Sequence, residues 1–258
     1  MKLMMALLSL TIATPALAGG GFNWLNGLAH TFHVNVHIVT FSIIALFIFG
    51  IGLLYRGKVA KATNTIVPDS GITFRNIIES FGEFIYNLCV SIMGETETKK
   101  FFPTICMIFL FIFISNTIGL IPGFLPPTED INTTLALGTF VFIYYNYQGI
   151  RAQGLVGHIK HFMGPVWYLA FLIFPIELIS HSVRPLSLAL RLRGNMAGDH
   201  MVLSIFSDLV PYLVPIVFLV LGLFVCFIQA FVFTLLSMVY IGLATEHHDH
   251  DEHEAHAH

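Results

Sequence analysis

The residues best suited to chemistry in this 258-residue chain lie in one stretch, residues 174–200, whose surroundings are mostly apolar. An arginine at the centre of a membrane helix costs roughly 2.5–3.5 kcal/mol on insertion scales. Three arginines in one apolar helix therefore indicate either that the stretch is not in the membrane or that its charges face groups that need them. The charged and amide side chains of the stretch are Glu177, His181, Arg184, Arg191, Arg193, Asn195, Asp199 and His200.

Most of these side chains are predicted to share one face of a helix. At about 100° per residue, seven positions fall within about 40° of one line. They are Glu177, His181, Arg184, Leu188, Arg191, Asn195 and Asp199. A polar stripe along a membrane helix is typical of a water-filled or proton-carrying path. Pro185 removes the backbone hydrogen bond to the His181 carbonyl and predicts a bend there.

Arg191 is the centre of this polar stripe. A guanidinium stays protonated, so Arg191 is suited to attracting a carboxylate or to blocking a direct leak of ions. Glu177 is about 21 Å away along the helix axis, which implies a partner subunit with its own buried carboxylate. The titratable residues Glu177, His181, Asp199 and His200 lie on either side of Arg191. This arrangement favours two separate aqueous paths over one pore, and histidine suits such a path near neutral pH.

The composition predicts a polytopic membrane protein. The chain is 56% hydrophobic and 10% charged, whereas soluble domains have about 25% charged residues. The mean hydropathy is +0.80. Residues 1–18 resemble a signal peptide with a cleavage site at Ala16–Ala18, the alternative being a retained hydrophobic N-terminus. Residues 19–245 are predicted to form a single transmembrane domain. The His-rich tail at 246–258 is predicted to be disordered, with weak metal binding as the alternative.

Apolar runs and turn signals predict an all-α membrane protein with five spans. The spans are expected at 38–55, 101–121, 131–149, 165–206 and 212–244, with an amphipathic surface helix at 72–93. The last two exceed the ~30 Å hydrocarbon core and are expected to tilt strongly. Lysines and arginines outside the leader and the polar stretch fall in segments assigned inside. This pattern places the N-terminus outside and the C-terminus in the cytoplasm. Ser115 and Asn116 form either a helix–helix hydrogen bond or part of an ion path.

Several separated motifs resemble subunit a of the membrane sector of rotary (F-type) ATP synthases. Around Arg191 the chain reads PLS at 185–187 and LRLRGNM at 190–196. The last span contains QAFVF at 229–233 followed by Tyr240, and an earlier span contains ISN at 114–116 and GLIP at 119–122. The motifs occur in the family's order and cover most of the chain after about residue 36.

The resemblance implies a stator subunit that conducts protons through two offset half-channels and is not catalytic alone. In that family the arginine matching Arg191 faces a rotating ring of c subunits with membrane-embedded carboxylates. Glu177, Asn195, His200 and Gln229 match other polar residues of the path. The implied partners are the c-subunit ring, the peripheral-stalk b subunits, the remaining ATP synthase subunits and membrane lipid. No cofactor, metal or nucleic acid is implied, and the expected location is the bacterial cell inner membrane.

Two positions depart from the family pattern. Arg193 stands where the family usually has a neutral residue, and Gly222 stands where it often has a titratable one. Asp199 is the candidate substitute as the partner of His200. The alternatives are a secondary transporter, an intramembrane enzyme and a structural assembly subunit. The sequence shows neither internal repeats nor an HExxH or GxSxG motif, and an assembly role leaves the stripe around Arg191 unexplained.

Overall fold

Helices account for nearly all of the computed structural model, which describes residues 24–61, 71, 73–121, 123–163, 170–209 and 213–245. They are α1 (Asn26–Phe32), α2 (Val36–Lys61), α3 (Phe74–Gly119), α4 (Ile131–Met163), α5 (Ala170–Leu209) and α6 (Leu213–Thr245). A short 3₁₀ helix lies at Pro127–Glu129. The predicted all-α fold is confirmed for these ranges, which contain no strand. The predicted leader at 1–18 and the tail at 246–258 lie outside the described residues.

Three of the described helices are long and apolar enough to cross a membrane. They are Val36–Ala60 in α2, Phe74–Gly119 in α3 and Ile216–Thr245 in α6. Within their described residues, α4 and α5 do not reach this level of apolarity. The five-span topology, the tilts and the orientation of the termini therefore stay predictions.

Helix α3 consists of two helical segments that meet at Gly94. Gly94 has φ 76° and ψ 169°, a conformation that glycine adopts without the steric cost of a side chain. The break separates the amphipathic segment, predicted at 72–93, from the apolar segment, predicted from residue 101. Ile85 and Cys89 are fully buried, whereas Glu83 is exposed. The first segment thus packs its apolar face on the bundle, and its place at a membrane surface stays a prediction.

The core lies where α3, α4 and α6 meet, and α5 packs onto it chiefly through α4. Its largest fully buried side chains include Phe101, Ile112, Tyr145, Phe233 and Ile241. Helix α5 continues through Pro175 and Pro185. A Cβ atom placed on Gly138 of α4 would lie 2.6 Å from the carbonyl oxygen of Pro185. The absence of a side chain at Gly138 therefore sets the close approach of α4 to α5.

Candidate functional site

The polar stripe of α5 has one buried edge and one exposed edge. His181 and Leu188 are buried, whereas Arg191 and Asn195 are exposed. At about 100° per residue, His181 and Leu188 lie about 60–80° round the helix from Arg191. The stripe therefore follows the boundary between the surface that packs on α4 and the surface that the chain leaves open.

His181 forms the buried edge and joins α5 to α4. Its Nε2 lies 2.9 Å from Asn146 Oδ1, and its Nδ1 lies 3.5 Å from the hydroxyl oxygen of Tyr145. An amide oxygen can only accept, so Nε2 carries the proton and donates it, while Nδ1 accepts from the Tyr145 hydroxyl. The structure thus gives His181 a clear role in helix pairing, and its role as a proton carrier stays a prediction.

Arg184 lies one turn further along the same edge and is half-buried. The centre of its guanidinium is 5.1 Å from the centroid of the Tyr240 ring in α6. The same side chain lies close enough to Tyr145 of α4 to interact with it electrostatically. A cation over an aromatic face is attracted by the ring quadrupole. Arg184 therefore links α5 to both of its neighbouring helices.

Arg191 and Asn195 form the exposed edge. No acidic side chain of the described residues lies within ion-pair distance of Arg191. Asn195, one turn on, donates a hydrogen bond from Nδ2 to Gln229 Oε1 at 2.6 Å. Gln229 is only 4% exposed and belongs to α6. The structure thus brings two of the predicted residues together beside Arg191 and leaves the arginine open to a partner.

A strip of small side chains borders Arg191 on the exposed surface of α5. Its members are Ser180, Ser187, Gly194 and Gly198, all of them exposed. A Cβ atom on Gly194 or Gly198 would have nothing within 4 Å. Small residues let the backbone of a second helix come close in a membrane. This strip was not predicted from the sequence, although the seven-residue spacing of 180, 187 and 194 was a signal for it.

The remaining predicted residues of α5 are distributed along its length. Glu177 and His200 lie on the helix on either side of Arg191, and their side chains are outside the described part of the structure. Asp199 is half-buried and lies close enough to Cys226 of α6 to interact with it electrostatically. The structure therefore places Asp199 between α5 and α6, and it leaves open whether Asp199 partners His200.

Gly222, the second departure from the family pattern, is buried under Leu120. A Cβ atom on Gly222 would lie 2.7 Å from Leu120 Cδ2. Leu120 therefore occupies the space that a side chain at position 222 would need. A side chain at position 222 would have to displace the end of the Leu120 side chain.

Asn116 and Ser115 are buried near the end of α3. Asn116 Oδ1 accepts a hydrogen bond from Thr128 Oγ1 at 2.7 Å, so its partner lies in the 3₁₀ helix. The Ser115 hydroxyl is buried with no hydrogen-bond partner among the described residues. A buried polar group without a partner is costly and is commonly served by water. The choice between structural contact and ion path stays open for these two residues.

Comparisons with known proteins identify the family of this chain. The family model for the ATP synthase A chain matches residues 36–242. The chain is 47% identical over 229 residues to ATP synthase subunit a of Bdellovibrio bacteriovorus, covering 89% of this chain and 99% of that one. It is 46% identical over 211 residues to ATP synthase subunit a 1 of Syntrophotalea carbinolica, covering 82% and 86%. It is 44% identical over 219 residues to the Trichlorobacter lovleyi subunit a, covering 83% and 90%. The chain therefore belongs to the ATP synthase A chain family.

Proposed function

We propose that this chain is the stator subunit that conducts protons to and from the carboxylates of a rotating c-ring, coupling proton flow to ATP synthesis. The observation that carries the proposal is the exposed Arg191 without an acidic partner among the described residues, bordered by small side chains. A cation on an open helix surface in a membrane needs a counter-charge. The strip of small residues gives a helix with a carboxylate room to approach.

Arg191 acts on the ring carboxylate through its charge. It favours the ionised carboxylate as that group passes, whereas the hydrocarbon environment favours the protonated form elsewhere on the ring. A proton enters by one half-channel, travels with the ring and leaves by the other. Arg191 separates the half-channels and blocks a direct leak. The membrane potential supplies about 2.3 kcal/mol per charge per 100 mV.

The two half-channels use residues on opposite sides of Arg191 along α5. Glu177 lies on the N-terminal side, and Asp199 and His200 lie on the C-terminal side. Carboxylates and imidazoles exchange protons readily and suit these paths. His181 is a further carrier, although its hydrogen bonds with Asn146 and Tyr145 hold it inside the bundle. Asn195 and Gln229 line the site beside the arginine.

The proposed assembly is an ATP synthase in a bacterial inner membrane. The partners are the c-ring, the peripheral-stalk b subunits, the remaining subunits of the enzyme and membrane lipid. The chain catalyses no reaction alone, because its titratable residues serve proton transfer to another subunit. Residues 1–18 act as a signal peptide, so the N-terminus of the chain lies outside and its C-terminus lies in the cytoplasm.

Purification in mild detergent tests the proposed partnership. The chain, carrying an affinity tag at its C-terminus, is expected to co-purify with a ring whose subunits each contain a membrane carboxylate. Mass spectrometry of the purified complex identifies the ring subunit and its carboxylate. A chain that purifies alone and transports ions alone would instead be a secondary transporter.

Replacing Gln229 by leucine is expected to lower ATP-driven proton pumping about tenfold. The change removes the acceptor of the Asn195 amide beside Arg191, and a hydrogen bond contributes about 0.5–1.5 kcal/mol, whose upper end corresponds to a tenfold loss. Acidification of inverted membrane vesicles measures the effect. The double variant Asn195→Leu, Gln229→Leu serves as the comparison, because removing both partners should cost less than the sum of the two single changes. Strictly additive losses would show that the hydrogen bond has no role in pumping.

A further inference from the structure

Arg193 has no role in the proton path proposed above. It lies two residues after Arg191, which places it about 160° away round the helix. Its side chain is exposed, and no acidic side chain of the described residues lies within ion-pair distance. The chain therefore exposes two guanidinium groups on nearly opposite sides of α5.

The surface around Arg193 differs from the surface around Arg191. Four large aliphatic side chains lie within about 80° of Arg193 round the helix. They are Ile179, Val183, Leu186 and Leu190, between 44% and 64% exposed. We call this surface the aliphatic flank. Its branched side chains suit contact with another membrane helix or with lipid. The charge of Arg193 favours the helix, because a helix can supply a counter-charge and lipid hydrocarbon cannot.

The position of Arg193 along α5 favours a protein carboxylate over lipid phosphate as its counter-charge. Helix α5 has 40 residues, or about 60 Å, and Arg193 is within four residues of its midpoint. The lipid phosphates lie at the two membrane surfaces, about 15 Å or more from the bilayer centre. With α5 placed in the membrane as proposed above, the anion that pairs with Arg193 is therefore expected on a neighbouring protein helix.

We propose that a membrane helix of another subunit packs on the aliphatic flank and places a carboxylate against Arg193. This carboxylate is distinct from the ring carboxylates that meet Arg191, because the two arginines point to opposite sides of α5. The pair satisfies a charge that otherwise costs several kcal/mol in hydrocarbon. The inference rests on the proposed function in placing α5 in the membrane beside a ring.

The variant Arg193→Lys, treated with a hydrophobic carbodiimide in the purified complex, tests the pair. The reagent activates a carboxyl group, and the lysine amine then forms an amide while the carbodiimide leaves as a urea. We expect a covalent product between this chain and a subunit outside the ring, with the joined residues identified by mass spectrometry. The unmodified complex is the negative control, since arginine does not form this amide. Arg191→Lys is the matched control and is expected to join to the ring carboxylate.

The outcomes separate this inference from the proposed function. A product of Arg193→Lys with the ring alone, or no product in an intact complex, would overturn the second carboxylate. If Arg191→Lys does not join to the ring, that result counts against the proposed function. A product between position 193 and a subunit outside the ring would still support the inference.

Arg193→Gln gives a second measurement should the lysine variant fail to assemble. Without the cation, the carboxyl group of the partner subunit is expected to be protonated and to react with the carbodiimide. Labelling of a subunit outside the ring should then be severalfold higher than in the unmodified complex. An unchanged labelling pattern would contradict the inference.

Discussion

Replacement of Arg191 by alanine is expected to abolish ATP-driven proton pumping while the complex still assembles. The change removes the cation that favours release of a proton from the ring carboxylate, and the carboxylate then stays protonated in front of α5. Acidification of inverted vesicles should fall to the level of vesicles without the enzyme. Arg191 has no carboxylate partner in the described part of the chain, so its loss should leave the fold intact.

Leu46→Ala is the matched control for this prediction. Leu46 is 69% exposed and belongs to α2, which packs on α3 and has no part in the proposed site. Pumping by the Leu46→Ala complex is expected to stay within about twofold of the unmodified enzyme, as is usual for exposed substitutions. Normal acidification with Arg191→Ala, in membranes that contain the usual amount of complex, would remove Arg191 from the mechanism.

Replacement of Gly138 by alanine is expected to lower the amount of assembled complex severalfold. The new Cβ atom would lie 2.6 Å from the Pro185 carbonyl oxygen, a backbone atom that cannot rotate away. Helices α4 and α5 then have to separate, which weakens the contacts of His181 with Asn146 and shifts Arg191 relative to its partner. Overpacking of this kind typically costs about 1–3 kcal/mol. Quantification of the complex in native gels of solubilised membranes measures the loss.

Gly52→Ala in α2 is the control for the effect of a methyl group in a membrane helix. A Cβ atom on Gly52 has nothing within 4 Å. The Gly52→Ala complex should therefore accumulate normally, since alanine also favours the helical conformation. Equal amounts of complex with Gly138→Ala and Gly52→Ala would show that the close approach of α4 to α5 is not needed.

Local sequence signals accounted for most of the helical architecture. The break at Gly94 follows directly after the predicted end of the amphipathic segment at residue 93, because the apolar spacing that predicts that segment stops there. The polar stripe was also predictable, because periodicity alone places its members on one face. Both features depend on residues that are close in the chain.

Contacts between distant residues could not be predicted from the sequence. Periodicity does not reveal which edge of the stripe packs on a neighbour, so the burial of His181 against Asn146 and the exposure of Arg191 required the structure. The approach of Gly138 to Pro185 and the contact of Leu120 with Gly222 join different helices. The bond of Asn116 to Thr128 likewise depends on the turn between α3 and α4.

Passive proton flux through the reconstituted membrane sector tests the central claim most directly. Liposomes containing this chain, its ring and the peripheral-stalk subunits are given a potassium diffusion potential, and internal pH is followed with a fluorescent dye. The proposed mechanism predicts proton uptake that requires both the chain and the ring and that a carbodiimide reacting with the ring abolishes. Equal uptake by liposomes containing this chain without the ring would contradict it, because the chain would then be a complete transporter.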